Sequence, residues 1–404
     1  MKNGFFITSV SPAPASTLSE NAALVAEFGT AKAEEISDFH RTFPEYAPTP
    51  LHRLDALAKK LGVGEIFVKD ESFRFGLNAF KVLGGSYAIG CCIAGRLGES
   101  LSAMSFDKLT SPETKERLGP LTFITATDGN HGRGVAWTAA RLGQRSVVYM
   151  PKGTAKERLD NIRVLGSDAS ITDLCYDDAV RLAKKEAEEK KDKGYILVQD
   201  TSFERYEEIP QKIMQGYTTM ALEALRQLGE NRPTHIFLQA GVGSMAGAVA
   251  AFFADAYGSA RPKVIVVEPN GADCIYQTAE ADDGKLRFCK EELKSIMAGL
   301  CCGEPCPLAW KLLRVCADHF ISMPDRAAEE GMRTLYRPFP GDPKIISGES
   351  GASTVGLLCC LMKEKELQKI RERIGLDADS KILCFSTEGA TDRENFEKIV
   401  SRAE

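Results

Sequence analysis

The chain has 404 residues, of which 44% are hydrophobic and 26% charged, with a formal net charge of −5. That length fits two domains of ordinary size, and the composition is globular rather than disordered. The acidic balance weighs against a nucleic-acid surface, and no apolar run is long enough to span a bilayer, so neither nucleic acid nor membrane is an expected partner.

The N-terminus, Met1-Lys2-Asn3-Gly4-Phe5-Phe6, carries one charge and a short apolar patch, which makes a poor signal peptide and points to the cytoplasm. The first 45 or so residues hold no motif and are expected to pack on the larger domain or on a partner subunit. Short β-rich runs then alternate with helical stretches. Strands are predicted at 65–68, 121–125, 146–150, 195–199, 234–238, 263–267 and 381–385. Amphipathic helices are predicted at 133–142, 177–190 and 218–228. The run Val264-Ile265-Val266-Val267 is apolar on both faces, as a central parallel strand should be. The pattern predicts an α/β protein with parallel sheets and helices on both faces. The charge run from Glu186 to Lys193 reads as a solvated helix face.

Twelve cysteines include the adjacent pairs Cys91-Cys92, Cys301-Cys302 and Cys359-Cys360. Neighbouring cysteines bridge poorly, no Cys-x-x-Cys occurs and the five histidines are scattered, so no metal site is expected. Small apolar thiols in a reducing compartment account for them. Whether Cys274 and Cys302 meet is open at this level.

Three predicted strands end in polar or glycine-rich turns before a helix, where open α/β sheets bind ligands. Gly241-Val242-Gly243-Ser244-Met245-Ala246-Gly247 can cradle a phosphate on backbone N–H groups and a helix N-terminus, with Ser244 adding a hydroxyl. The same loop, with Glu268 at the end of the next strand, also resembles a dinucleotide fingerprint, which would make the chain a non-catalytic nucleotide-binding protein. Thr127-Asp128-Gly129-Asn130-His131-Gly132 can bind an anion such as a substrate carboxylate, although Asp-Gly-Asn is also ordinary turn chemistry. Lys81 follows Asn78-Ala79-Phe80. Among apolar neighbours its amine would be deprotonated and able to attack a carbonyl; on a surface helix it would be an ordinary lysine.

Together these residues resemble the fold-type-II (tryptophan synthase β-like) pyridoxal-phosphate enzymes, which include threonine dehydratase, serine racemase and cysteine synthase. The resemblance is closer to the diaminopropionate ammonia-lyase family. It rests on Phe75-Gly76-Leu77-Asn78-Ala79-Phe80-Lys81, the 127–132 turn and Gln199-Asp200-Thr201. It continues through Ile296-Met297-Ala298-Gly299-Leu300, Cys302-Gly303-Glu304-Pro305 and Ser386-Thr387-Glu388-Gly389.

The resemblance implies two open, twisted, mostly parallel sheets flanked by helices, with pyridoxal 5'-phosphate in the cleft between domains. The large domain would comprise residues 1–92 and 190–404, and the small one 93–189. Lys81 would bond the cofactor aldehyde, and Asn130 would meet its ring oxygen. Gly241, Val242, Gly243, Ser244 and Met245 would hold the phosphate. Thr387 would stand beside the pyridine nitrogen, and Glu349 near the ring. A hydroxyl there does not enforce a protonated ring, which suits β-elimination more than transamination. Thr127, Asp128, His131 and Asp200 would bind the substrate. Where serine and threonine dehydratases carry a small hydroxyl residue, this chain has Asp128. With Asp200 it would favour a diamino acid over a neutral hydroxy amino acid. The implied reaction is ammonia elimination from 2,3-diaminopropionate, D or L, to pyruvate and two ammonia molecules. Lys81, Asp128 and Asp200 would be the catalytic residues, in a homodimer. A serine or threonine dehydratase of the same fold is the alternative.

Overall fold

The computed structural model describes residues 6–12, 17–127, 129–289 and 293–402. Asp128 lies outside the described residues. Eleven strands form among those described. In chain order they are β1 (Thr8–Val10), β2 (Leu51–Arg53), β3 (Glu65–Asp70), β4 (Thr122–Ala126) and β5 (Arg145–Met150). There follow β6 (Asp168–Ile171), β7 (Tyr195–Leu197), β8 (His235–Gln239), β9 (Lys263–Pro269), β10 (His319–Met323) and β11 (Lys381–Ser386). The larger sheet has the order β1-β10-β9-β8-β11-β3-β2, and the smaller β6-β5-β4-β7. The smaller sheet is wholly parallel. In the larger one only the edge strands β1 and β2 run antiparallel to their neighbours.

The alternation along the central strands explains why both faces are covered. Ile236, Leu238, Val264, Val266, Leu383 and Phe385 face one hydrophobic core. Their neighbours Phe237, Ile265, Val267, Ile382 and Cys384 face a second core on the other side. A strand buried on both faces reads as a continuous apolar run, which is how these segments announce themselves. Helices Val82–Leu97, Glu208–Leu228 and Ser244–Tyr257 contribute to the first core, and Glu349–Lys363 to the second.

The N-terminal segment packs on the rest of the chain. β1 pairs with β10, and the helix Thr30–Arg41 carries His40 into the interior. Its Nε2 donates to the Leu83 carbonyl at 3.0 Å and its Nδ1 meets the Thr219 hydroxyl at 2.8 Å. Burial pushes the imidazole down to about 3, with the Arg74 guanidinium acting in the same direction, so it sits neutral between these partners.

A charged network lies beneath the segment that leads to Lys81. Arg74 donates to both oxygens of Glu71 and both oxygens of Glu223, each at 2.8 Å. Lys69 reaches Glu223 Oε2 at 2.8 Å and the Thr49 carbonyl at 2.7 Å. All four charged residues are buried. Two cations and two carboxylates balance, which is the condition for burying them.

Candidate active site

Five strand ends converge. β8 ends at the glycine loop, β11 at Thr387, β4 at the turn before Asn130, β7 just before Asp200, and β3 at the segment carrying Lys81. They surround a cleft lined by Lys81, Asn130, Asp200, Thr387 and residues 241–245.

Lys81 is placed by an unusual stretch of backbone. Phe75 and Asn78 adopt left-handed φ values of 49° and 60°, with Gly76 at 69° between them. The chain then runs back along the end of β11, where Phe80 N–H donates to the Thr387 carbonyl at 3.1 Å and Gly389 N–H to the Asn78 carbonyl at 3.0 Å. A Cβ on Gly389 would stand 2.0 Å from Asn78 Oδ1, so any side chain there would force Asn78 to shift. Lys81 emerges immediately before the helix Val82–Leu97.

Lys81 Nζ lies 2.5 Å from Asp200 Oδ2. The lysine is therefore set against a carboxylate and not only among the apolar groups expected from its sequence neighbours. Asp200 also accepts from the Tyr176 hydroxyl and from Gln199 Nε2, each at 3.2 Å on Oδ1. Burial alone would raise the Asp200 carboxyl. The Lys81 and His131 charges and the hydrogen bonds from Lys81 and Tyr176 outweigh it, holding the group well below the usual carboxylate range.

The glycine loop turns at Gly243, whose φ of 93° favours glycine and whose added Cβ would stand 2.7 Å from Ile275 Cδ1. Helix Ser244–Tyr257 starts there, so its first amides face the cleft as an anion cradle. The Ser244 hydroxyl donates to the Asp200 carbonyl at 2.7 Å, which leaves the backbone amides as the donors free to meet an anion. Two buried polar atoms of the cleft wall, Ser350 Oγ and Gln239 Oε1, have no hydrogen-bond partner among the described residues. Gln239 Nε2 donates to the Thr387 hydroxyl at 3.0 Å, which orients Thr387 toward the cleft. A phosphorylated aromatic aldehyde fits this set: an amine for the aldehyde, an amide cradle for the phosphate and a hydroxyl for a ring nitrogen.

Other expected residues fall elsewhere. Thr127 Oγ1 accepts from Gly129 N–H at 2.9 Å and so closes its own turn. His131 is buried and donates from Nε2 to the Val198 carbonyl at 2.8 Å. Glu349 is not among the residues lining the cleft, and its Oε1 accepts from Asn395 Nδ2 at 2.5 Å. Glu268 is not a ribose ligand: its carboxylate accepts the Ile275 and Tyr276 amides, at 2.9 and 2.6 Å, at the start of helix Cys274–Ala281. That use of the carboxylate removes the nucleotide reading. Among the described residues no group of three or more His, Cys, Asp and Glu could hold a metal ion, and all twelve cysteines are free thiols. Tyr176, Gln239 and Ser350 line the cleft without any signal in the sequence except their places at strand or helix ends, and Glu388 lines it with only its place in the 386–389 motif to mark it.

A reactive lysine across a cleft from a glycine-turned amide cradle, at convergent parallel strand ends, defines an enzyme that works through a phosphorylated aldehyde. The chain belongs to the pyridoxal-phosphate dependent enzymes and, among them, to the diaminopropionate ammonia-lyase family. A family profile described as "Pyridoxal-phosphate dependent enzyme" matches residues 42–376. The diaminopropionate ammonia-lyase of Salmonella typhimurium is 50% identical over 370 residues, which cover 91% of each chain. The crystal structure of the holo diaminopropionate ammonia lyase from Escherichia coli superposes with a TM-score of 0.89 at 42% identity, covering 98% of this chain and 97% of that one. The same enzyme in complex with D-serine gives 0.88 at 43%, with the same coverage.

Proposed function

We propose that this chain eliminates ammonia from 2,3-diaminopropionate, and that water hydrolyses the released aminoacrylate to pyruvate and a second ammonia. One observation carries the reading: Lys81 Nζ, 2.5 Å from the Asp200 carboxylate, shares its cleft with the glycine loop. When bound, pyridoxal phosphate supplies an aldehyde for amines and a conjugated ring that withdraws electron density from the substrate Cα. Gly241, Val242, Gly243, Ser244 and Met245 would hold its phosphate, Asn130 its ring oxygen, and Thr387 its ring nitrogen. Lys81 Nζ takes the Cα proton of the L isomer. Asp128 would take that of the D isomer. The β-ammonium then leaves as ammonia. Asp200 places a negative charge where a substrate with an extra ammonium gains most. Thr127 and His131 act through the turn they build.

The proposal includes a homodimer in the cytoplasm. No helix among the described residues is long and apolar enough to cross a membrane. It also includes a large unit, residues 1–92 and 190–404, around a small one, 93–189. The pairing of β7 with β4 supports carrying the small unit's end to near residue 200.

The test is a visible absorption band on the purified protein, bleached by borohydride, with pyruvate release followed on D- and L-diaminopropionate and on D- and L-serine. Turnover of diaminopropionate well above serine is the expected result. A preference for serine would make the chain a dehydratase.

A further inference from the structure

Asn130 opens the helix Asn130–Arg141 beyond the smaller sheet, while Glu388 follows β11 in the larger one. Asn130 Nδ2 donates to Glu388 Oε2 at 2.5 Å. Glu388 is 1% exposed and fixed from several sides. Its Oε1 accepts from Ser350 N–H at 3.2 Å and its Oε2 from the Thr391 hydroxyl at 3.3 Å. Its backbone pairs with Ala79, and its carbonyl accepts from Gly348 N–H at 3.0 Å. Both Asn130 and Glu388 line the cleft.

An asparagine amide presents an acceptor on one side and two donor hydrogens on the other, and nothing intrinsic decides which way it faces. A carboxylate only accepts. Held against one, the Asn130 amide has to turn its nitrogen toward Glu388, because the flipped form would set two oxygens together in a buried place. The second N–H on that nitrogen is then the donor left for a ligand in the cleft.

We propose that Glu388 is a positioning residue for the cofactor: it locks the Asn130 amide so that an N–H, not a carbonyl oxygen, meets the anionic ring oxygen. This rests on the functional reading above and assigns to the second residue of the Thr387-Glu388 pair a task separate from that of its neighbour. Because Glu388 and Asn130 come from different sheets, the same contact also ties the smaller sheet to the larger across the cofactor site.

The test is a double-mutant cycle read on cofactor binding. The cofactor dissociation constant and the position of the visible band are measured for wild type, E388Q, N130A and N130A/E388Q, with folding followed by circular dichroism. A glutamine can present its own N–H to Asn130, so the lock is lost while the side-chain volume is kept. E388Q is expected to weaken cofactor binding about tenfold and to shift the band, as losing one buried charge-assisted hydrogen bond would. In the N130A background the same change is expected to alter binding less than about twofold, because the effect passes through Asn130. Wild-type affinity and band in E388Q, or an equal loss with and without Asn130, would overturn the proposal while leaving the enzyme assignment intact. A wild-type protein that takes up no cofactor would overturn both. Should E388Q fail to fold, E388D, whose shorter carboxylate cannot hold the 2.5 Å contact, replaces it in the cycle under the same criteria.

Discussion

The Ser244 hydroxyl donates to the backbone carbonyl of Asp200 at 2.7 Å, joining the glycine loop of one sheet to the residue whose carboxylate pairs with Lys81 beyond the other. The bond fixes the distance between the place where an anion is held and the place where Lys81 is paired. Position and charge at the site are thus set by one contact between side chain and backbone.

Removing that contact tests its weight. Ser244→Ala is expected to weaken cofactor binding three- to tenfold, matching about 1 kcal/mol for one hydrogen bond. The absorption band should survive, since Lys81 is untouched. Spectroscopic titration with the cofactor checks both, and unchanged affinity would show that the loop holds its place without Asp200.

Gly243→Ala should do more. The φ of 93° strains any side chain, and the new Cβ would meet Ile275 Cδ1 at 2.7 Å. A cost of about 1–3 kcal/mol is expected from the backbone alone. The start of helix Ser244–Tyr257 should shift with it, so both the thermal midpoint and cofactor affinity should fall. Loss of affinity with an unaltered midpoint would mean that the strain is relieved locally.

The buried ion network predicts a different pattern, one of stability without chemistry. Glu223→Gln would set an amide N–H against Lys69 or Arg74 and leave Glu71 to balance two cations. Breaking a buried pair from one side costs about 3–5 kcal/mol. Burial raises the Glu223 carboxyl, but Arg74 and Lys69 more than reverse it and hold the group low. Wild-type stability from this group is therefore present above the usual glutamate pKa and is lost only in strong acid, as pH falls through the lowered value. Urea unfolding of the variant at neutral pH should show the loss. A drop below 1 kcal/mol would mean that water enters and screens the site.

Much of this architecture can be read from the chain, because strands buried on both faces leave long apolar runs. All seven predicted strands form, at 65–70, 122–126, 145–150, 195–197, 235–239, 263–269 and 381–386. β1 and β2 have three residues each, too few to show a period. β6 is a half-polar edge strand, and β10 carries His319 and Ser322 in an otherwise apolar run. The site divides the same way. Lys81, Asn130, Thr387 and the glycine loop, singled out by their sequence neighbours, line one cleft, held by a crossing at Gly389 and a turn at Gly243. The contact of Glu388 with Asn130 left no local mark in the sequence, since the two are 258 positions apart. Glu268 misled because a carboxylate after a strand serves equally well as a cap for the next helix.

On the proposed mechanism the choice between isomers falls to Asp128. If its carboxylate is the base for the D isomer, Asp128→Asn should lower D-diaminopropionate turnover by about 10²–10⁴, the usual worth of a general base. L-isomer turnover should fall far less. Steady-state rates on each isomer decide it, and equal losses would assign both protons to one base.

Glu349 gives the pH dependence of the fold. Burial, with the Glu388 charge beside it, pushes its carboxyl up to about 7, against an ordinary 4.5. Its Oε2 is buried without a hydrogen-bond partner among the described residues, while Asn395 donates to Oε1 and Arg158 partly offsets the shift. The folded state thus binds a proton that the unfolded chain releases earlier. The stability linked to that proton is fully present below about pH 4.5 and is lost as pH rises through about 7. The shift corresponds to about 3 kcal/mol between the two ends of that window. Glu349→Gln keeps an acceptor for Asn395 and removes the charge. At pH 8 the variant should be more stable than wild type by up to about 3 kcal/mol, and near pH 5 the difference should nearly vanish. Urea midpoints at the two pH values measure it. A gap that does not change with pH would place the wild-type carboxylate in contact with water, where ionisation is cheap in both states.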